Sequence, residues 1–67
     1  MDSLEFGKCI REARRTQGLT QQELAMTANT AARFISDLEN GKPTCQIGKA
    51  LLVAKCLGLR VELISRS

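Results

Sequence analysis

The chain has 67 residues, 43% of them hydrophobic and 25% charged, with two aromatic residues and a formal net charge of +3 that is compatible with an anionic partner. A chain this short forms a single domain, residues 1–67, and its aliphatic-rich composition favours helices over a β-sandwich or barrel. The lack of a long apolar run and of a signal-peptide pattern excludes a membrane span and predicts a cytoplasmic location.

The first predicted element is an amphipathic helix from about Leu4 to Gln17. Either Asp2 or Ser3 can serve as its N-cap, and Gly18 is expected to end it. Apolar residues recur in this segment with the spacing of one helix face. The residues predicted to face inward are Phe6, Cys9, Ile10 and Ala13.

Two short helices with a tight turn between them are predicted next. Residues 20–23, TQQE, form a capping box that opens a helix from about Gln21 to Ala28. Asn29 tolerates the left-handed conformation of a tight turn, and a third helix follows from about Ala31 to Asn40. This arrangement is the signature of a helix-turn-helix motif, whose second helix is available for the major groove of DNA. The residues of that helix predicted to face inward are Ile35 and Leu38.

A fourth helix is predicted from Thr44 or Gln46 to Leu57, and a short strand after it at residues 59–64, where apolar and polar residues alternate. A single strand is not stable alone, and no other segment supplies a partner. We therefore expect this strand to pair with its copy in a second subunit. The inward stripe predicted for the helix is Ile47, Leu51, Ala54 and Leu57 or Gly58, widened by Leu52 and Cys56. The residues predicted to make the dimer contact are Leu59, Val61 and Leu63.

The three cysteines, Cys9, Cys45 and Cys56, are an odd number without a Cys-x-x-Cys pair, and the chain has no histidine. This pattern predicts buried structural thiols and neither a disulfide framework nor a metal site. A domain of this size usually needs additional support, so oligomerisation is the remaining way to stabilise the core.

Residues 19–41, LTQQELAMTANTAARFISDLENG, resemble the helix-turn-helix core of the phage-repressor and Xre family. The fourth helix followed by residues 57–63, LGLRVEL, is similar more narrowly to the HipB-type antitoxins of HipA-type kinase toxins. The resemblance covers about residues 4–64. It implies an all-α, lambda-repressor-like domain of four to five helices, with a short C-terminal β-strand that pairs across a homodimer. The residues that carry the resemblance are Leu19-Thr20-Gln21, Glu23-Leu24-Ala25, Ile35-Ser36 and Leu38-Glu39-Asn40-Gly41.

The resemblance also implies how the chain would bind DNA. In the dimer, the third helix of one subunit would lie about 34 Å from the third helix of the other. The pair would read an inverted-repeat operator in double-stranded DNA. Arg33 is the strongest base-reading candidate, because its guanidinium can donate two hydrogen bonds to guanine. Asp37 would repel phosphate unless it accepts from cytosine or pairs with Arg33. The full predicted set of DNA-contacting residues is Gln21, Thr30, Ala32, Arg33, Ser36, Asp37, Asn40 and Lys42.

Individual roles within this set differ. Gln21 and Asn40 match the family's phosphate-contacting positions, and Ala32, Arg33, Ser36 and Asp37 match those that read bases. Thr30 could cap the third helix, where Ala31 stands in place of the usual serine or threonine. Lys42 follows the third helix and could contact a phosphate. Outside this set, Phe34 is expected to pack in the core or at a dimer contact. Arg11, Arg14 and Arg15 are interpreted as a solvated face, with DNA-backbone binding as the alternative.

Three functions remain open from the sequence. The first is an autorepressor that is also the antitoxin of a HipA-like kinase toxin, and the second is a free-standing repressor without a toxin partner. The third is a protein-interaction module that has lost DNA binding, which is suggested by Ala31, Ala32 and Asp37. An enzyme or a cofactor-binding protein is not expected, because the chain lacks histidine and a glycine-rich phosphate loop.

Overall fold

The computed structural model describes residues 2–44 and 46–60, and four α-helices lie in this part of the chain. Their order agrees with the sequence prediction, and each helix begins and ends close to its predicted bounds. None of these four helices is long and apolar enough to cross a membrane. The helices are α1 (Ser3–Thr16), α2 (Gln21–Thr27), α3 (Ala32–Glu39) and α4 (Ile47–Cys56).

Side-chain caps open the first two helices. Asp2 Oδ1 accepts a hydrogen bond from the amide of Glu5 at 2.8 Å, so Asp2 and not Ser3 is the cap of α1. At α2 the predicted capping box is confirmed: Thr20 Oγ1 accepts from the amide of Glu23 at 3.0 Å, and Glu23 Oε1 accepts from the amide of Thr20 at 2.9 Å. The hydrogen bonds from Thr20 hold the pKa of Glu23 below its ordinary value.

The turn between α2 and α3 depends on Asn29, whose positive φ of 56° confirms the predicted left-handed residue. The amide of Thr30 then donates to the carbonyl of Ala25 at 2.8 Å, which ties the turn back onto α2. Helix α3 begins after Ala31 without a side-chain cap. The expectation that Thr30 caps this helix is therefore wrong, because its amide continues the turn and Ala31 occupies the cap position.

Helix α3 is the centre of the fold and packs against both α1 and α2. Its predicted inward residues, Ile35 and Leu38, are both buried, which confirms the helical spacing. Large aliphatic side chains and alanines together form the core. The buried hydrophobic residues are Ile10, Leu24, Ala25, Ala28, Ile35, Leu38, Ala50, Val53, Ala54 and Leu57.

The contact between α1 and α3 depends on Gly7, which is buried against the end of α3. A Cβ atom on Gly7 would collide with the carbonyl oxygen of Leu38 and lie 3.0 Å from that of Glu39. Gly7 and Ile10 are the buried residues of α1, so this side of the helix faces inward. The prediction that Cys9 is a buried thiol is wrong, because this orientation places Cys9 on the exposed flank of α1. Cys56 is half-buried against the core, and Cys45 lies outside the described residues.

Helix α4 packs against α2 with a face that matches the prediction only in part. Ala54 and Leu57 of the predicted stripe are buried, as expected. Ala50 and Val53 are buried, whereas Ile47 and Leu51 of the predicted stripe are 63% and 44% exposed. Apolar residues occur nearly all round this helix, so their spacing alone does not identify the packed face.

The chain turns back after α4 and packs once more on the core. The amide of Leu59 donates to the carbonyl of Ala54 at 2.9 Å, and the half-buried side chain of Leu59 packs against the core. Leu59 and Arg60 form no strand within the single chain, and pairing of residues 59–64 with a second copy stays a prediction. Val61, Leu63 and the rest of that strand lie outside the described residues.

Candidate nucleic-acid interface

The outer surface of α3 carries the residues predicted to read bases. Ala32 and Arg33 are exposed, and Ser36 and Asp37 are half-buried. Arg33 makes no hydrogen bond or ion pair with residues 2–44 or 46–60. Since the buried side of α3 fixes the helix in place, Arg33 stands on a rigid support with its guanidinium donors uncommitted.

Asp37 pairs with Lys42 and not with Arg33. Its Oδ2 lies 3.8 Å from Lys42 Nζ, and the amide of Lys42 donates to the carbonyl of Asp37 at 3.0 Å. The predicted alternative of an Arg33–Asp37 pair is therefore wrong in this structure. Both side chains of the observed pair are partly exposed, and such a pair contributes only about 0–1 kcal/mol. Lys42 can thus leave Asp37 for a phosphate at little cost in stability.

A buried carboxylate beside α3 is surrounded by hydrogen-bond donors. We call this group the Glu39 cluster and define it as Arg11, Arg14, Gln21 and Glu39. The Glu39 side chain is 0% exposed and that of Arg14 is 13% exposed. Arg14 Nε donates to Glu39 Oε2 at 2.6 Å, and Arg14 Nη2 donates to Glu39 Oε1 at 3.0 Å. Arg11 Nε donates to the same Oε1 at 3.4 Å.

The Glu39 cluster corrects the interpretation of the α1 arginines as a solvated face for Arg14 alone, because Arg11 and Arg15 are exposed as expected. Arg14 is mostly buried and holds a carboxylate that lies 25 residues away along the chain. The sequence did contain a signal for Glu39, because it lies four residues after the inward-facing Ile35. A carboxylate at an inward position needs a charged or hydrogen-bonding partner. The identity of that partner depends on how α1 packs against α3, which helix spacing does not specify.

Electrostatics keeps Glu39 ionised. Burial alone would raise the pKa of Glu39, but the hydrogen bonds from Arg14, Gln21 and Arg11, with the positive charge of Arg14, more than offset it. The pKa of Glu39 therefore lies below its ordinary value. The hydrogen bond to Glu39 raises the pKa of Arg14 in turn. Every buried side-chain nitrogen and oxygen atom in the described part of the chain has a hydrogen-bond partner.

The two predicted phosphate-contacting amides lie at this cluster. Gln21 is half-buried, and its Nε2 donates to Glu39 Oε1 at 3.2 Å. Asn40 is exposed at the end of α3, and its Oδ1 accepts from Arg11 Nη2 at 3.5 Å. The structure thus brings Gln21 and Asn40 to the same cluster of charged side chains. The half-buried Thr30 lies in the α2–α3 turn.

A shallow groove lies between the end of α3 and the start of α4. Phe34 packs against the core from this groove, as expected for a core residue, and the ammonium of Lys49 lies 5.8 Å from its ring centroid. Lys49 was not among the predicted site residues, since its place near α3 depends on the turn into α4. The groove is lined by Phe34, Asp37, Leu38, Lys42, Pro43, Thr44 and Gln46.

Comparisons with known proteins agree with this geometry. A sequence model described as "Helix-turn-helix" matches residues 10–64. An uncharacterised HTH-type transcriptional regulator of Sinorhizobium fredii, y4mF, is 46% identical over 61 residues, covering 91% of this chain and 80% of that protein. Human endothelial differentiation-related factor 1 is 37% identical over 63 residues, covering 90% of this chain and 40% of that protein. The chain therefore spans well under half the length of the human relative.

Proposed function

Because the chain belongs to the helix-turn-helix family, we propose that it is a sequence-specific transcriptional regulator that binds double-stranded DNA in the cytoplasm. The observation that carries this proposal is the geometry of α3. One face of the helix is fixed by the buried Ile35 and Leu38, and the other presents Arg33 without a partner among the described residues. A rigid helix with an exposed, uncommitted arginine suits the major groove. The name of the Sinorhizobium relative supports a regulatory role.

Sequence would be read from α3. Arg33 can donate two parallel hydrogen bonds to O6 and N7 of guanine. Ala32 can offer a methyl contact to thymine, and Ser36 can reach a base edge or a phosphate. Asp37 can accept from cytosine N4 if Lys42 leaves it for the DNA backbone. This assignment gives Arg33 the largest share of the discrimination between sequences.

Affinity would come mainly from the backbone contacts. Gln21 and Asn40 can donate amide hydrogen bonds to phosphate oxygens, and Thr30 can contribute its hydroxyl. Lys42 supplies a positive charge beside the end of α3, so its contact with a phosphate would release a counterion and make binding depend on salt. These contacts would fix the orientation of α3 on the duplex without selecting its sequence.

We propose that the chain acts as a homodimer. Ile47, Leu51 and Leu52 on α4 are exposed, and a second copy would remove them from water. Pairing of residues 59–64 through Leu59, Val61 and Leu63 is the contact that the sequence favours. A two-fold dimer would place its two α3 helices about one DNA turn, ~34 Å, apart on an inverted-repeat operator.

We further propose that the regulator represses its own gene as the antitoxin of a HipA-like kinase toxin. The support is the similarity of the fourth helix and the sequence LGLRVEL to HipB-type antitoxins. The test is size-exclusion chromatography of the chain with a kinase toxin of this class encoded beside its gene. Co-elution would support the antitoxin role, and separate elution would leave a free-standing repressor.

The experiment that tests DNA reading compares Arg33→Ala with Arg15→Ala. Both changes remove one exposed arginine, but only Arg33 lies on α3. The preferred duplex is first selected from a random pool by the wild-type chain, and affinities are then measured on that duplex and on variants of each base pair. Arg33→Ala should cost about 1–3 kcal/mol and relax the preference at one base position.

The control variant separates the effect of losing a positive charge from the effect of losing base recognition. Arg15→Ala should weaken binding to all duplexes evenly or not at all, because a distant surface charge carries no sequence information. If Arg33→Ala lowered specific and non-specific affinity by the same factor, the base-reading role would be wrong. If the wild-type chain selected no duplex from the pool, the fold would instead serve a protein interaction.

A further inference from the structure

The buried Glu39 carboxylate lies directly behind one of the residues proposed to contact DNA. We propose that Glu39 is a positioning residue for phosphate binding, which fixes the side-chain amide of Gln21 with its nitrogen as the donor for a DNA phosphate. This inference rests on the proposed DNA-binding function. The Glu39 side chain is 0% exposed, so the positioning role requires no contact between Glu39 and a phosphate.

The hydrogen-bond chemistry of the two side chains determines the orientation. A glutamine amide has two N–H donors on its nitrogen and an oxygen that only accepts, and an ionised carboxylate only accepts. Gln21 Nε2 gives one N–H to Glu39 Oε1 at 3.2 Å. Rotating the amide by half a turn would place two acceptor oxygens against each other. The second N–H of Gln21 has no partner among the described residues and is the group that a phosphate oxygen requires.

The carboxylate can act in this way because it is itself held still. Arg14 donates to both oxygens of Glu39, from Nε to Oε2 at 2.6 Å and from Nη2 to Oε1 at 3.0 Å. Arg14 Nη1 also donates to the carbonyl of Leu19 at 2.8 Å. Arg14 is thereby fixed to the segment that leads into α2. Its positive charge compensates the charge of Glu39, so the site presents a donor to DNA without presenting an uncompensated negative charge.

Asn40 shows the same polarity at the other end of the cluster. Its Oδ1 accepts from Arg11 Nη2 at 3.5 Å, so the oxygen of this amide faces the arginine. The NH₂ group of Asn40 is then directed away from the cluster. The Glu39 cluster therefore sets the orientation of both side-chain amides that are proposed to contact phosphate. In each orientation at least one N–H group is left for a phosphate oxygen.

The test is a double-mutant cycle on DNA affinity with Gln21→Ala, Glu39→Gln and the double variant, each first shown to be folded by thermal denaturation. Loss of a hydrogen bond to a charged acceptor should weaken binding roughly tenfold for Gln21→Ala. Glu39→Gln should also weaken binding, up to the same factor. In the Gln21→Ala background, Glu39→Gln should cause no further loss, because it acts through Gln21.

The matched control is Glu12→Gln, an equal charge change at an exposed position of α1. Removing a negative charge should by itself leave DNA binding unchanged or tighten it. Weakening by Glu39→Gln beside no loss for Glu12→Gln supports positioning. If Glu39→Gln tightened binding, or if the losses of the two single variants multiplied in the double variant, the positioning role would be overturned while DNA binding stood. If the wild-type chain bound no duplex, both proposals would fall.

A measurement on the wild-type chain applies even if Glu39→Gln does not fold. Hydrogen exchange of the two side-chain amide protons of Gln21 can be followed by NMR, free and bound to DNA. One proton should exchange slowly in the free protein because of Glu39, and both should exchange slowly in the complex. If the second proton exchanged equally fast with and without DNA, Gln21 would not donate to phosphate and the inference would fail.

Discussion

Helices α1 and α2 both pack on α3, whereas α4 packs on α2 and leaves much of its own apolar surface exposed. In the first region Ile35 and Leu38 are buried, and the Glu39 cluster satisfies every polar atom it buries. In α4 the side chains of Ile47 and Leu51 are 63% and 44% exposed. The α1–α3 region, which carries most of the proposed DNA-binding residues, thus buries its apolar residues within the single chain. Helix α4 does so only in part.

This difference separates two tasks within one small domain. A recognition helix must be held rigidly, because its side chains have to meet base edges at fixed distances. An apolar helix face that is left open gains stability only when a partner covers it. We therefore expect changes in the α1–α3 region to alter the stability of the single chain, and changes on the open face of α4 to alter its association.

The largest expected effect comes from breaking the Glu39 cluster. Arg14→Ala leaves the buried carboxylate of Glu39 without its main partner and should cost about 3–5 kcal/mol of unfolding free energy, measured by urea denaturation. A loss of this size can unfold a domain of 67 residues outright. Arg15→Ala, at the next and exposed position, should change stability by less than about 0.5 kcal/mol. Equal losses in the two variants would contradict the structural role of Arg14.

A pair of glycines compares the two regions directly. Gly7→Ala would force a methyl group onto the carbonyl of Leu38, so α1 and α3 must separate, at a cost of about 1–3 kcal/mol or more. Gly48→Ala in α4 meets no atom within 4 Å and should gain about 0.5–1 kcal/mol through helix propensity. Thermal unfolding of the two variants checks both signs. A stabilising Gly7→Ala would show that the helices are not in close contact.

Acid should weaken the α1–α3 region through Glu39. The pKa of this carboxyl lies below its ordinary value of 4.5, so its contribution to stability is fully present above pH 4.5. That contribution is lost as the pH falls through the lower, native pKa. Urea midpoints measured between neutral pH and pH 3 should fall in the acid range for the wild-type chain, and the fall should be smaller in Glu39→Gln. Parallel curves for the two proteins would argue against an ionised Glu39.

The smallest effect on the stability of the single chain is expected on the open face of α4. Leu51→Lys replaces a partly exposed side chain and should change unfolding free energy by no more than about 0.5 kcal/mol in a monomeric reference state. The same change would place a charge in the proposed dimer contact. Sedimentation velocity should therefore show a shift from dimer to monomer. A variant that remained dimeric would move the dimer contact away from α4.

The helices could be predicted from sequence because their signals are local. The capping box at Thr20 and the left-handed Asn29 each depend on residues a few positions apart, and the structure confirms both. The face of α4 was predicted only in part. Ala54 is buried as expected, but apolar residues surround the helix, so local spacing did not identify Ala50 and Val53 as buried. The close approach at Gly7 depends likewise on contacts between distant segments.

The candidate site also contains features that local sequence predicts and features that depend on contacts between distant segments. Helical spacing placed Arg33 on the outer face of α3, and the structure leaves it exposed. Spacing also allowed Arg33 to pair with Asp37, but the turn after α3 brings Lys42 to Asp37 instead. The hydrogen bond between Gln21 and Glu39 joins α2 to α3 across 18 residues, and no local pattern predicts it. DNA contact by these residues remains a prediction.

The most direct test of DNA reading is a mobility-shift titration of the wild-type chain on the duplex immediately upstream of its own gene, beside a scrambled duplex of equal length. We predict binding to the upstream duplex that is at least about a thousandfold tighter than to the scrambled one. Raising the salt concentration from about 50 to 200 mM should weaken both, because phosphate contacts release counterions. Equal affinity for the two duplexes at both salt concentrations would contradict a sequence-specific regulator of its own gene.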